Sequence, residues 1–348
     1  MKIIFTRLLL IFILSPVPIL ILFIRYHAKL KVLSYDFERR IPFEVTDIKG
    51  LDLRFNSYYI AGSSDENIYL GNYTTLPRLL RTNSPLTDTQ TINIDLRYTT
   101  SHGVSDYKIY VDSINFYVFY GLERSILKGK TNEWRASTWT ISCPFFQESV
   151  PLNDNSLVFR YVSSKTQCNA FRKATYPAGT IENDTILIKQ VDGQYCTSGN
   201  LEYNKNLQLF TYLYAYRNEI IVMDTSLNLV RKIKTIDPID SAFFNVSAIQ
   251  SNGSSVITTP ALLVNPKCAT WKNYLFVHST LMGKKEDDTQ FKYSTVIDIY
   301  DIARGAYVYS FYLPNTQHKN ISQFKVINGY VYTIHDSFIY RYKIQLPT

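Results

Sequence analysis

Histidines, cysteines and clustered carboxylates are the usual carriers of metal and proton chemistry. Here the five histidines (His27, His102, His278, His318 and His335) are scattered through 348 residues, with no HExxH pair and no calcium loop of the Asp-x-Asp-x-Asp-Gly type. A Gly-x-Ser-x-Gly elbow and a Gly-rich loop ending in Lys-Ser or Lys-Thr are both missing, which removes the common signatures of nucleophilic hydrolysis and phosphate binding. The run Glu286-Asp287-Asp288 follows Lys284-Lys285 and reads as a solvated hairpin loop. His278 and His335 stand among aromatic and β-branched residues and read as hydrogen-bonded strand histidines rather than ligands. Cys143, Cys168, Cys196 and Cys268 have no CxxC spacing, which argues against zinc. Their even number leaves two readings, a disulfide of unassigned pairing in an exported domain or buried free thiols.

The elements that must position any such chemistry are strands. The chain is 46% apolar, 15% aromatic and 19% charged, with 28 Tyr and 20 Phe against 13 Gly and 13 Pro. That composition suits a sizeable all-β core and excludes a disordered or low-complexity chain. From Tyr58 onward, short alternating segments are punctuated by turn clusters, and outside the N-terminus no 3.6-residue apolar period is sustained.

The segments repeat at about fifty residues. They run Tyr58 to Ala61, Asn67 to Gly71 and Arg78 to Arg81, then Tyr107 to Val111, Asn115 to Tyr120 and Arg124 to Leu127, then Leu157 to Val162, Gln167 to Arg172 and Thr185 to Lys189. Gly199 to Tyr203 precedes Leu207 to Tyr214, Glu219 to Asp224 and Leu227 to Lys234. Two further triplets follow, Tyr274 to His278, Thr295 to Asp301 and Ala306 to Leu313, then Phe324 to Ile327, Tyr330 to His335 and Phe338 to Ile344. Blades of about forty to fifty residues over 32–348 predict a six-bladed β-propeller, seven blades also being compatible with the length. A pair of β-sandwiches would need a Pro/Ser/Gly-rich linker, and none is found. The last unit has three strands, and Ser34 to Ile41 is placed to supply the fourth and close the ring.

The formal charge of +8 is misleading. Of the 37 basic residues, Lys2, Arg7, Arg25, Lys29 and Lys31 lie in residues 1–31 with no acid, so the remainder carries 32 against 29. That near balance, without a basic stripe, argues against nucleic acid as a partner. Leu8 to Ile24 is an uncharged apolar run between Arg7 and Arg25, at the short end for a spanning helix. No small-x-small cleavage site or lipobox cysteine follows it, which favours an uncleaved anchor over a signal peptide and places 32–348 outside the cytoplasm, in a bacterial periplasm.

Tyr58-Tyr59-Ile60-Ala61-Gly62 with Asn67-Ile68-Tyr69-Leu70-Gly71-Asn72, the segment Phe37-Glu38-Arg39-Arg40, and Tyr203-Asn204 through Tyr214-Ala215-Tyr216-Arg217-Asn218 with Asp224-Thr225-Ser226-Leu227 resemble membrane-anchored, TolB-like six-bladed propeller proteins of Bacteroidetes. The resemblance covers most of the chain and implies fold and envelope location, with no catalytic residues to carry over. On a propeller, the loops that enter the innermost strands converge at one mouth of the channel. Those loops supply Arg54, His102, Asp106, Asp192, Tyr195, Lys267, Trp271 and His318 as candidate binding residues. Cations and aromatics with few acids suit an anionic or polar extended ligand such as a peptide. The expectation is a monomeric, envelope-anchored module that binds a protein or peptide at one face, without enzymatic activity, metal or cofactor. The alternatives are an enzyme of the six-bladed lactonase, lyase or quinoprotein type, with a metal or cofactor on the channel axis near His102, Asp106, Asp192 and His318, and a small-molecule sensor or redox protein using the cysteines.

Overall fold

The computed structural model describes residues 12, 15–19, 33–64, 67–75, 77–97, 107–248, 255–316 and 320–346. Six four-stranded antiparallel meanders follow one another among them. The first is Tyr58–Ser64, Asn67–Asn72, Arg78–Asn83 and Thr89–Asn93; the second is Tyr107–Asp112, Asn115–Tyr120, Ser125–Lys130 and Arg135–Thr138. The third comprises Glu148–Asn153, Ser156–Val162, Asn169–Thr175 and Gly179–Asn183, and the fourth Gly199–Asn204, Leu209–Tyr214, Glu219–Met223 and Leu229–Lys234. The fifth is Lys267–Trp271, Tyr274–Ser279, Ser294–Asp301 and Ala306–Pro314. In the sixth, Gln323–Ile327, Tyr330–His335 and Phe338–Lys343 are completed by Thr46–Asp52, from the other end of the chain.

Burial grades outward through each meander and explains the residue types. Second strands such as Asn115–Tyr120 (NFYVFY) are buried on both faces and are nearly continuous runs of apolar side chains. Outer strands such as Gly179–Asn183 are largely exposed and polar. The first strands lie next to one another around a common axis. Gly62 pairs in parallel with Val111, which merges the first two meanders, and with Asp95–Arg97 added in parallel to Arg135–Thr138 they form one nine-stranded sheet. At φ +146° Gly62 brings its Cα so close that a Cβ would stand 1.9 Å from the Val111 carbonyl oxygen, a position only glycine can fill.

Tyrosine hydroxyls tie neighbouring sheets together. Tyr59 Oη accepts from the Ile109 amide at 2.6 Å, Tyr107 Oη donates to the Asn72 carbonyl at 2.7 Å, and Tyr332 Oη donates to the Ser84 carbonyl at 3.0 Å. Between the fourth and fifth sheets Tyr300 Oη accepts from Ile236 at 3.0 Å. A large apolar ring with a polar tip fills the space between sheets and satisfies backbone groups there, which accounts for the high tyrosine content.

Several expectations from the sequence are corrected. The ring is closed by Thr46–Asp52 and not by Ser34 to Ile41, because Gly50 allows the Tyr340 ring to lie over the closing strand. The earlier segment serves as a strap: Ser34–Tyr35 pairs in parallel with Met282–Gly283, and Arg39 is fully buried against the fifth sheet. Glu286 therefore does not belong to a solvated loop. It is buried and ion-paired to Arg39 at 2.8 Å, while Asp287 caps the short helix Asp288–Lys292. The third and fifth sheets begin with strands that the sequence reading passes over, Glu148–Asn153 and Lys267–Trp271, and Thr185 to Lys189 is not a strand. All four cysteines are buried free thiols, which corrects the disulfide reading of Cys143, Cys168, Cys196 and Cys268. Burial pushes the Cys268 thiol far above its usual pKa.

The segment Leu8 to Ile24 lies mostly outside the described residues. Among those that are described, no helix is long and apolar enough to cross a membrane.

Candidate functional site: the central channel

The six first strands enclose a channel with a volume of about 800 Å³, and all six contribute to its wall. Antiparallel meanders of equal strand number bring each first strand in from the same side, so the channel has a near mouth, where these strands begin, and a far mouth, where they end. In an inner strand successive side chains point alternately into the channel and into the space between sheets. The fourth sheet's Asn200 and Glu202 and the sixth sheet's Gln323 and Lys325 are only half-buried, whereas Leu201, Phe324 and Val326 are buried.

Three acids line the channel, and each has a cation. Glu148 Oε2 accepts from Arg160 Nε at 3.1 Å, and Arg160 also reaches Gln147 Oε1 at 2.6 Å and Asn169 Oδ1 at 2.9 Å. Glu202 pairs with Lys325 at 2.5 Å across the fourth and sixth sheets. At the far mouth Asp112 pairs with Lys205. Burial raises the Glu202 pKa, opposed by Lys325; for Lys325 burial works against the charge, but Glu202 outweighs it and the pKa rises.

Lys108 and Lys267, near the beginnings of their strands on the second and fifth sheets, make no ion pair among the described residues. The Lys108 ammonium lies 6.0 Å from the centre of the Tyr59 ring. Water reaches the side chain through the channel, yet protein surrounds it. Burial lowers its pKa, with Lys325 and Lys267 adding repulsion against the attraction of Glu148 and Glu202. Beside Lys267, the half-buried His278 has a pKa depressed to about 4 by burial and by that lysine, and its Nδ1 has no hydrogen-bond partner among the described residues.

The near mouth has an apolar lip. Tyr73 and Leu122 border the channel, and Phe145 stands in the loop leading to the channel-lining Gln147. All three are more than half exposed. The Arg124 guanidinium lies 5.3 Å from the centre of the Phe145 ring.

Of the candidates read from the sequence, Lys267 and Trp271 reach the channel, at opposite ends of one strand rather than in a loop. Asp192 is an internal brace: its carboxylate accepts from the amides of Gln194, Tyr195 and Cys196 at 3.0, 2.7 and 2.8 Å. Tyr195 Oη donates to the Ser255 carbonyl at 2.6 Å and fixes the same loop. Arg54 is exposed between two strands at φ +67°, its amide donating to Asp52. His102, Asp106 and His318 lie outside the described residues. Among those described, no three His, Cys, Asp or Glu side chains come together as a metal site. Lys108, Glu148, Glu202 and Lys325 are not singled out from the sequence. For Lys108, Glu202 and Lys325 the signal there is polarity at every second residue of Tyr107–Asp112, Asn200–Asn204 and Gln323–Ile327; Glu148 stands in a strand whose alternation is broken.

A ring of antiparallel meanders around an open channel defines a propeller-like all-β protein. No protein-family model and no curated protein matches the chain. Among solved structures, a member of the DUF4221 family from Bacteroides vulgatus superposes with a TM-score of 0.53 at 9% identity, over 90% of this chain and 99% of that one. A putative exported protein from Bacteroides fragilis gives 0.50 at 12% identity, over 90% and 100% of the two chains. A catalytically inactive virginiamycin B lyase from Staphylococcus aureus, solved with quinupristin, gives 0.50 at 8% identity, over 86% and 99%. At such identities the likeness is one of fold.

Proposed function

We propose that the chain is a TolB-like, six-bladed β-propeller held outside the cytoplasm at a bacterial membrane by residues 8–24. It acts as a monomer, without cofactor or chemistry of its own, to bind a protein or peptide segment at the near mouth of its channel. Six meanders around one axis support the blade count, and the fold shared with an exported Bacteroides protein supports the location. The observation that carries the binding role is the near mouth itself. There an open channel of about 800 Å³ with polar walls lies beneath the exposed apolar lip of Tyr73, Leu122 and Phe145. Apolar contact at a rim with polar groups inside is the pattern of a recognition pocket.

The test is site-specific photo-crosslinking in cells, with the reactive residue placed at Leu122 or Phe145 and, as controls, at the exposed outer-strand Ile181 and at Tyr176. The expected result is an adduct of one discrete mass from the lip positions only. Equal labelling from the outer strand, or no adduct from the lip, overturns the reading. Protease treatment of spheroplasts checks the location.

A further inference from the structure

The wall of the channel carries more cations than acids. All three lining acids, Asp112, Glu148 and Glu202, are already committed to Lys205, Arg160 and Lys325. Of the lining cations without a carboxylate among the described residues, Lys272 lies at the far mouth over the Trp271 ring, whereas Lys108 and Lys267 lie on the second and fifth sheets, which face one another across a ring of six. Both stand toward the near mouth, beneath the apolar lip, and next to Lys267 the Nδ1 of His278 lacks a partner among the described residues. Two like charges on facing walls of one channel repel one another and oppose folding, the more weakly because water reaches both side chains. Neither ammonium makes a hydrogen bond or ion pair among the described residues, so a glutamine at either place would reach the same water without the repulsion. Groups that oppose stability without serving packing are typical of sites completed by a ligand.

We infer that Lys108 and Lys267 form an anion clamp which takes a carboxylate side chain of an acidic, apolar peptide segment, the apolar residues of that segment resting on Tyr73, Leu122 and Phe145. This rests on the reading of the near mouth as the binding face and adds the chemical class of what enters it. An ammonium pair recognises any compact anion, but the lip selects for one carried on an apolar chain. Glutamate or aspartate in a hydrophobic peptide has both properties, whereas inorganic phosphate has one.

The experiment uses the full-length protein in detergent micelles and isothermal titration with three probes. They are an acetylated, amidated peptide alternating glutamate with leucine and phenylalanine, its counterpart with every glutamate replaced by glutamine, and inorganic phosphate. The expected result is binding of the glutamate peptide at least tenfold tighter than the glutamine peptide, weakened at least tenfold in the Lys108→Gln/Lys267→Gln variant and by raising salt from 50 to 500 mM. Phosphate should bind more weakly than the glutamate peptide. If phosphate binds as tightly, or neither peptide binds, the inference is overturned. If both peptides bind equally, with Leu122→Glu abolishing binding and the lysine variant unaltered, the near-mouth reading stands and the anion clamp falls. A second measurement needs no ligand. The double variant should unfold at the same temperature as the parent or a higher one. A clear drop would show that the lysines serve packing, and would refute the argument that they are held for a ligand.

Discussion

Replacement of Arg39 tests whether the N-terminal strap is integral to the fold. Its guanidinium spends every available direction: Nε to Asp298 Oδ1 at 2.7 Å, Nη1 to the Leu281 carbonyl at 2.9 Å and to Glu286 at 2.8 Å, Nη2 to Ser279 Oγ at 2.8 Å and to Asp298 Oδ2 at 3.2 Å. The side chains of Arg39, Glu286 and Asp298 are 0, 6 and 3% exposed. Arg39→Met keeps the volume and strands two carboxylates. Removing one partner of a buried ion pair costs about 3–5 kcal/mol. Here each carboxylate keeps one donor, Asp298 from Ser310 Oγ at 2.5 Å and Glu286 from the Gly283 amide. The expected loss is therefore near the lower figure, about 3 kcal/mol. Guanidinium unfolding followed by the fluorescence of Trp134, Trp139 and Trp271 measures it. The triple variant Arg39→Met/Glu286→Gln/Asp298→Asn should recover most of the loss, because the penalty comes from the stranded charges rather than from missing contacts. A loss below about 1 kcal/mol in the single variant would refute the account and make the strap a surface decoration.

Three further outcomes follow from the same geometry. Tyr59→Phe deletes the acceptor of the buried Ile109 amide and should cost about 1–3 kcal/mol in urea unfolding, while a change under half a kcal/mol would mean that the first two sheets do not depend on that bond. Gly62→Val, which drives a side chain into the Val111 carbonyl at a positive φ, should abolish folded protein on expression, and recovery of a parent-like circular dichroism spectrum would contradict the close approach. His278, with a folded pKa of about 4 against 6.5 for the free side chain, binds its proton more readily when unfolded. Its contribution is full above pH 6.5 and is lost as pH falls toward 4, by at most about 3 kcal/mol. His278→Asn should flatten that limb of the pH–stability curve, and an unchanged limb would assign the acid loss to other groups.

The sequence made the second and third strands of each unit legible, because segments such as Asn115–Tyr120 and Ser294–Asp301 are buried on both faces and read as continuous apolar runs. The repeat of about fifty residues followed from them. First strands were harder to read. Glu148–Asn153 contains Pro151 and a register shift, so its alternation breaks, and Lys267–Trp271 is five residues long with its apolar residues in the middle. Which N-terminal segment closes the ring could not be read either. Both candidates are short and mixed in character, and the choice depends on Tyr340 lying over Gly50, a contact between residues nearly three hundred positions apart.

The channel was hidden for a reason that applies to ring architectures generally. Along Gln323–Ile327 the order polar, apolar, polar, apolar is what a strand with one solvated face would have, and local sequence cannot separate bulk water from water enclosed by five other strands. Only closure of the ring turns six separate polar faces into one wall, and only then does the balance of acids and cations across it acquire meaning. Glu202 and Lys325 are 123 positions apart and form an ion pair in the channel; Lys108 and Lys267, still farther apart in the chain, stand toward its near mouth without a carboxylate among the described residues. Exposed mixed-charge loops often carry function, yet Asp192 is consumed in holding its own turn and Tyr195 in tying that turn to Ser255. A carboxylate two to four residues before the amides it accepts from is a turn signature, and at Asp192 it marks a structural role that leaves the strands to carry the polar groups of the channel.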